Sequence, residues 1–262
     1  MNKISIITVT FNAESCIENT ILSVISQTYS NYEYIIIDGG SSDKTRQIIE
    51  KYQKHLSYWV SEKDTGIYDA MNKGIIHSTG EWLIFMNAGD LFHNNTVLFD
   101  IFQDQEYTNY DILYGDVNAT FLKYNIIQKS DAEIQTLTKR MFFSHQSSFI
   151  RKDLMLQYKY DLKYKIIADY AFFLKAYFNK YKFKYIPIIV STCNKYEGVS
   201  ASTNYNQYKK LVKEHITLSS EFNLNMSLNL NMLCFRYLLK SCIRMFIPKR
   251  VWAYILAQKY KD

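Results

Sequence analysis

The chain has 262 residues, 48% of them apolar and 21% charged, with only 2 Pro and 8 Gly. That excludes a disordered, collagen-like or low-complexity polymer and suffices for one large α/β domain with an appendage, or for two modest domains. The net charge of +6 hides an asymmetry: residues 1–150 carry 11 Lys and Arg against 18 Asp and Glu, residues 151–262 carry 20 against 7, and the halves are set up for different partners.

Residues 4–11 are a β-branched run of the length of a strand buried on both faces. After Asn12, a candidate N-cap, the spacing of Ile17, Ile21, Leu22, Val24 and Ile25 predicts a helix to about Gln27. Residues 34–38 repeat the strand pattern, residues 39–43 read as a turn, and a helix follows over about 44–52. A strand near 57–61, a helix through Tyr68, Met71 and Ile75, and a strand at 82–86 continue the alternation, which predicts a parallel sheet with right-handed crossovers. Beyond residue 95 the pattern loosens. A helix near 96–102, a strand at 112–116, a mixed region to about 165, a helix over 169–181 and a strand over 185–191 are expected. From about residue 204 the chain reads as helical and rich in Lys and Tyr, with Pro248 between two final helices. Residues 223–231 alternate over too few positions to decide between strand and loop.

Cys16, Cys193, Cys234 and Cys242 lack metal-ligand spacing, and no signal-type apolar segment opens the sequence. A reducing, cytoplasmic setting with buried thiols is expected. No apolar run approaches the roughly 20 residues that cross a bilayer, which leaves contact with a membrane surface open.

Four polar segments, Thr10-Phe11-Asn12, Asp38-Gly39-Gly40-Ser41, Asp64-Thr65-Gly66 and Asn87-Ala88-Gly89-Asp90, each follow an expected strand of one parallel sheet. They should converge at its carboxyl edge, where such sheets bind ligands. An aromatic for a base, carboxylates for base or ribose, Gly turns for phosphates and an Asp for a bridging divalent cation together suit a nucleotide. Singly each is weak, since Asp-Gly after a strand is common turn chemistry.

In this order, Val-Thr-Phe-Asn, Ile-Ile-Asp-Gly-Gly-Ser-Ser-Asp-Lys-Thr, Ser-Glu-Lys-Asp-Thr-Gly-Ile-Tyr-Asp-Ala-Met-Asn-Lys-Gly and Phe-Met-Asn-Ala-Gly-Asp, the chain resembles the family 2 glycosyltransferases, inverting enzymes of GT-A fold. The resemblance covers roughly residues 3–200 and is strongest in the first 95. It implies an α/β, Rossmann-like, mostly parallel sheet flanked by helices, with a C-terminal helical extension. It implies that Phe11 stacks on the base, that Asp38 binds base or ribose, and that Thr10, Asn12, Glu14, Gly39, Asp64, Gly66 and Asn87 line the nucleotide-sugar pocket. The family usually has Asp-x-Asp at the end of the fourth strand. Here those positions hold Asn87 and Gly89, and only Asp90 remains as the metal carboxylate, for manganese or magnesium held weakly without donor. The alternative for Asp90 is a helix cap.

Asp169, opening a helix after an apolar stretch, resembles the family's catalytic Asp and is the expected general base. The competing reading is an N-cap or an ion pair with Lys163 or Lys165. His145 and Gln146 interrupt an aromatic stretch where acceptor or diphosphate would approach, against the reading of a satisfied buried His.

In the tail, Arg236, Lys240 and Arg244 recur on one helical stripe beside broad apolar surface, and a second piece carries Lys249, Arg250, Trp252, Tyr254 and Lys259. This suits an anionic membrane interface. Packing on the catalytic domain or on a second subunit, as a homodimer, is the alternative. The sequence thus divides into a GT-A domain at 1–220 (nucleotide sugar at 1–95, acceptor and catalysis at 96–220) and a basic amphipathic extension at 221–262. The expected enzyme moves a sugar from a UDP-linked donor to a lipid-linked oligosaccharide in surface-polysaccharide assembly, on the cytoplasmic face of the cell membrane. A noncatalytic membrane-surface module is the alternative. An oxidoreductase is disfavoured because no Gly-x-Gly-x-x-Gly follows the first strand, and nucleic acid because no reader motif is present.

Overall fold

A computed structural model describes residues 2–103, 105, 107–195, 205–224 and 247–259. The first half follows the expected alternation. β1 (Ile4–Thr10) is buried along its length and pairs in parallel with β2 (Tyr32–Asp38), which pairs in parallel with β3 (Tyr58–Ser61). On its other side β1 meets β4 (Trp82–Phe85), also in parallel. Because successive side chains alternate faces, Ile4, Ile6, Tyr34 and Ile36 meet α1 (Ile17–Ile25) and α2 (Thr45–Lys51) on one side. Ile7, Val9, Ile35 and Ile37 meet α3 (Ile67–His77) on the other. Both faces are covered, which is why these strands read as unbroken apolar runs.

The second half departs from a parallel pattern. Among the described residues the sheet runs β3-β2-β1-β4-β8-β6-β9-β5, with β7 attached to β6. β8 (Ser148–Arg151) is antiparallel to β4 and to β6 (Ile112–Phe121), β9 (Phe183–Asn194) is parallel to β6, and the short β5 (Leu91–Phe92) is antiparallel to β9. β8 is four residues long, too short to show a period. Its strand character comes from its insertion between β4 and β6. Helix α4 (Val97–Phe102) lies on the α1 face, α5 (Lys152–Tyr158) and α6 (Ala168–Phe178) on the α3 face.

β6 continues into a hairpin with β7 (Tyr124–Gln128), joined by Leu122 and Lys123. Leu122 has φ 54°, a left-handed backbone that costs a residue with a Cβ roughly 1 kcal/mol. Helix α7 (Tyr205–Glu221) buries Val212, Glu214 and Leu218 against the domain. The final helix, Lys249–Lys259, sets Ala253 and Ala257 against Ala119 and Phe121 of β6, so one face of this expected surface helix is spent on the sheet. Arg236, Lys240 and Arg244, the alternating Leu/Asn segment from residue 225, and Cys234 and Cys242 lie outside the described residues. Cys16 and Cys193 are free thiols. No helix among the described residues is long and apolar enough to cross a membrane.

A buried carboxylate pins the opposite edge of the sheet. Glu33 in β2 is 6% exposed and accepts from the Ser5 hydroxyl, the Thr79 amide and hydroxyl, and the Gly80 amide, with Lys3 Nζ at 3.0 Å. Burial pushes its carboxyl up, but the Ser5, Thr79 and Lys3 donors outweigh burial and bring it down to about 2. A depressed carboxylate contributes stability above its unfolded pKa and loses it as the pH falls through the folded one. Of order 2–3 kcal/mol should disappear between about pH 5 and pH 2. Urea midpoints for wild type and Glu33→Gln across that window check this. The variant should start lower and vary less, and parallel curves would refute the assignment.

Candidate active site

The ends of β1, β2 and β3 meet at one edge. Phe11, 63% exposed, extends from the end of β1, and Asn12 has φ 47°. Its bent backbone is tied to the β2 turn: Asn12 N–H donates to Ser41 Oγ at 2.8 Å, and Ser42 N–H donates to Asn12 Oδ1 at 2.9 Å. A Cβ on Gly39 would stand 2.5 Å from Asp64 Oδ2 and 3.4 Å from Phe11 Cδ2. Only a residue without a side chain lets these two groups close over the turn. Gly66 N–H donates to Asp64 Oδ1 at 2.9 Å, and the Gly39 amide donates to the Thr10 carbonyl at 2.9 Å.

Two expected donor-pocket residues have local tasks. Asp38 is 0% exposed, and its carboxylate takes the Ser41 amide and hydroxyl and the Ser61 hydroxyl. Glu14 Oε2 accepts Lys44 N–H at 2.9 Å and holds the entry to α2, while Asp43 Oδ2 accepts Glu14 N–H at 3.0 Å.

The end of β4 meets a turn from the middle of the chain. Met86 and Ala88 amides still pair with β1 carbonyls. The chain then turns through Gly89, at φ 97°, whose amide donates to Thr20 Oγ1 at 2.9 Å. Asn87 Nδ2 lies 3.2 Å from His145 Nε2, and Gln146 Nε2 donates to Asp90 Oδ2 at 3.2 Å. The short 3-10 turn His145–Ser147 carrying both partners is locked by Ser147 and Ser148 hydroxyls on the Ser144 carbonyl.

His145 Nδ1 is 2.7 Å from Asp169 Oδ2. A carboxylate there requires Nδ1 to carry a proton, so His145 Nδ1–H donates to Asp169. Asp169 Oδ1 also takes the Tyr170 amide at 2.9 Å and lies 3.0 Å from the Tyr68 hydroxyl. Burial pushes the Asp169 carboxyl up, but His145, the Tyr170 amide and Tyr68 more than offset it, and the net direction is down. The Lys163 ammonium pairs instead with Asp161 and Glu221. Asp90 shows the opposite balance. Burial raises its carboxyl, and the charges of His145 and Lys195 with bonds from Cys193 and Gln146 recover only part.

Several contributors escaped sequence reasoning. Tyr68 and Asn72 sit one turn apart in the Ser61–Gly74 motif. Tyr68 reaches Asp169, and Asn72 bonds both backbone groups of Tyr160 at 2.8 and 2.9 Å. Glu214 of α7 takes the amides of Lys165, Ile166 and Ile167 at 2.9, 2.9 and 3.2 Å, holding the loop just before Asp169. The motif was visible, but nothing local marks Glu214. A separate cleft of about 700 Å³, lined by Thr138, Lys139, Phe178 and the end of α7, shares none of these residues.

Among the described residues no group of three His, Cys, Asp or Glu could hold a metal. Yet Asn87 Oδ1 is buried without a hydrogen-bond partner beside the Asp90 turn. A buried orphan oxygen next to a carboxylate raised by burial fits two ligands of a hard cation that draws the rest from ligand oxygens and water.

Residues 5–182 match the model of Glycosyl transferase family 2. The chain belongs to that family. This transferase is 29% identical over 202 residues to a PGL/p-HBAD biosynthesis glycosyltransferase of Mycobacterium tuberculosis, covering 75% of this chain and 78% of that one. It also shares its fold with S. aureus TarS 1-349 in complex with UDP-GlcNAc (TM-score 0.67, 19% identity, 88% of this chain and 69% of that one). A third likeness is to the mannosyltransferase PcManGT of Pyrobaculum calidifontis in complex with GDP-Man and Mn2+ (TM-score 0.60, 14% identity, 99% and 74%). The expected GT-A fold therefore holds, and the protein is a glycosyltransferase.

Proposed function

We propose that this transferase moves a sugar, with inversion, from a UDP-linked donor to a sugar hydroxyl of a lipid-linked acceptor in surface-polysaccharide assembly. The observation that carries the reading is the continuity of the sheet edge. Phe11, Gly39 and Asp64 touch at one end, and Asn87, His145 and Asp169 form a bonded chain at the other, with Gln146 and Asp90 beside it. The bound donors of TarS and PcManGT support a nucleotide sugar here. In this reading residues 1–95 bind the donor, 96–220 serve acceptor and catalysis, and 221–262 attach the enzyme to the cytoplasmic face of the cell membrane.

The exposed Phe11 ring stacks on the base, with Thr10 and Asn12 shaping its backbone, and Asp64 with the Gly66 turn takes the ribose. Asp38 holds the Gly39–Ser41 turn from beneath and would meet the base only if Ser41 releases it, and Glu14 fixes the adjoining wall. Asp169 accepts the acceptor hydroxyl proton while that oxygen attacks the anomeric carbon from the side opposite the diphosphate. The bond from that carbon to the diphosphate oxygen breaks, and the electron pair leaves with the nucleoside diphosphate. His145, held by Asp169 and Asn87, and Gln146 border the diphosphate side. Asn87 Oδ1 and Asp90 would hold manganese or magnesium, which supplies neutralisation of the departing diphosphate.

Calorimetric titration tests donor and metal together. UDP-sugars should bind in the presence of manganese and release nucleoside diphosphate slowly to water, whereas manganese alone should bind the empty protein weakly. Asp90→Asn should weaken donor binding with metal roughly tenfold or more. Tight binding of manganese without donor would refute the two-ligand site. Binding without any turnover would favour the noncatalytic module.

A further inference from the structure

The hairpin between β6 and β7 projects on the same side as the site. β4 and β6 are both antiparallel to β8, and Leu83 and Ile112 both face Ile150, which puts Asn87 at the level of Asp116. β6 runs five residues farther, to Phe121, about 15 Å past that level. At its tip Leu122 combines two unfavourable properties: 49% exposure of a large apolar side chain and a left-handed backbone. An Asn or Gly there would cost less. Strain kept together with exposure points to use of that side chain.

The last helix continues the surface. Its inner face is spent on β6, and its outer face exposes Val251, Tyr254 and Ile255 at helical spacing. The ring of Tyr254 meets that of Tyr124 at 5.5 Å and joins the two elements. Lys123, Lys249 and Arg250 are exposed around these apolar groups, and neither residues 117–130 nor 247–259 contain an Asp or Glu.

We propose that the Leu122-Lys123 tip and the outer face of the helix Lys249–Lys259 form one docking surface for an anionic phospholipid bilayer, on the side where the site opens. Apolar side chains ringed by cations without a carboxylate match a negative headgroup layer above hydrocarbon. This deepens the reading of a lipid-linked acceptor, which rests on the proposed function: the bilayer that carries the acceptor is brought to the sheet edge beside Asp169 of α6.

Co-sedimentation of the full chain with vesicles of phosphatidylcholine plus phosphatidylglycerol, against phosphatidylcholine alone, tests the surface. The anionic vesicles should bind, high salt should release the protein, and Lys123→Glu and Arg250→Glu should each weaken binding about fivefold or more. Leu122→Asn should raise Tm, because Asn tolerates the left-handed backbone, and yet lower the vesicle-bound fraction. A role confined to folding would move both together. Unchanged binding in all three variants, or a dimer in gel filtration that these substitutions dissociate, would overturn the proposal. Release of nucleoside diphosphate from free donor should be equal in wild type and variants. Its absence from wild type while vesicles still bind would overturn the transferase chemistry and leave the docking surface standing.

Discussion

Asp169→Asn should lower kcat by roughly two to four orders of magnitude, the usual worth of a positioned general base, with donor affinity nearly unchanged. The amide keeps the shape of the carboxylate but cannot take the acceptor proton. Two more features make the expectation specific. His145 is the foremost influence opposing burial at this carboxyl. Replacing it with Gln should therefore let burial raise the Asp169 pKa and move the acid limb of the kcat/KM profile to higher pH. Rate profiles of both variants beside calorimetric donor binding check the pair. Substantial turnover by Asp169→Asn would remove this residue from the mechanism, and an unmoved acid limb in His145→Gln would break the link between them.

Glu214→Ala should destabilise the fold by about 3 kcal/mol, because three amides, that of Ile167 buried and those of Lys165 and Ile166 partly so, lose their acceptor at once. At roughly 2–4 °C per kcal/mol for a chain of this size, Tm should fall by about 10 °C. Glu214→Gln keeps one oxygen and should lose less. The loop released is the one leading into Asp169, so kcat should also fall well below Tm while donor affinity holds. A calorimetric scan and initial rates on the same preparation separate the effects. A wild-type Tm for the alanine variant would mean that the three amides find other acceptors and that α7 does not hold the loop.

Both predictions rest on contacts of different visibility. Asp169 could be picked out because an Asp opening an apolar helix resembles a family pattern. Its bond to His145 joins residues 24 positions apart, and neither position signals the other. Tyr68 lay in a motif that reads as an ordinary amphipathic turn, and its hydroxyl matters only because α3 and the loop before α6 pack on the same face of the sheet. The segments that follow the parallel strands were more legible. Each sits directly after a strand whose apolar run announces it, and parallel strands place their carboxyl ends together by construction. Glu14 shows where that logic stops short, since a carboxylate near the edge turned instead to the Lys44 amide.

The amino-acid order by itself determined the parallel half of the sheet, the meeting of its four loop ends and the family. Those follow from local period and strand direction, which neighbouring residues dictate. Tertiary structure decided the antiparallel insertion of β8, the Asn87-His145-Asp169 chain, the hold of Glu214 on the loop before Asp169 and the seating of the last helix on β6. Each joins residues far apart in the chain through hydrogen bonds or burial, and such pairings leave no local period to read.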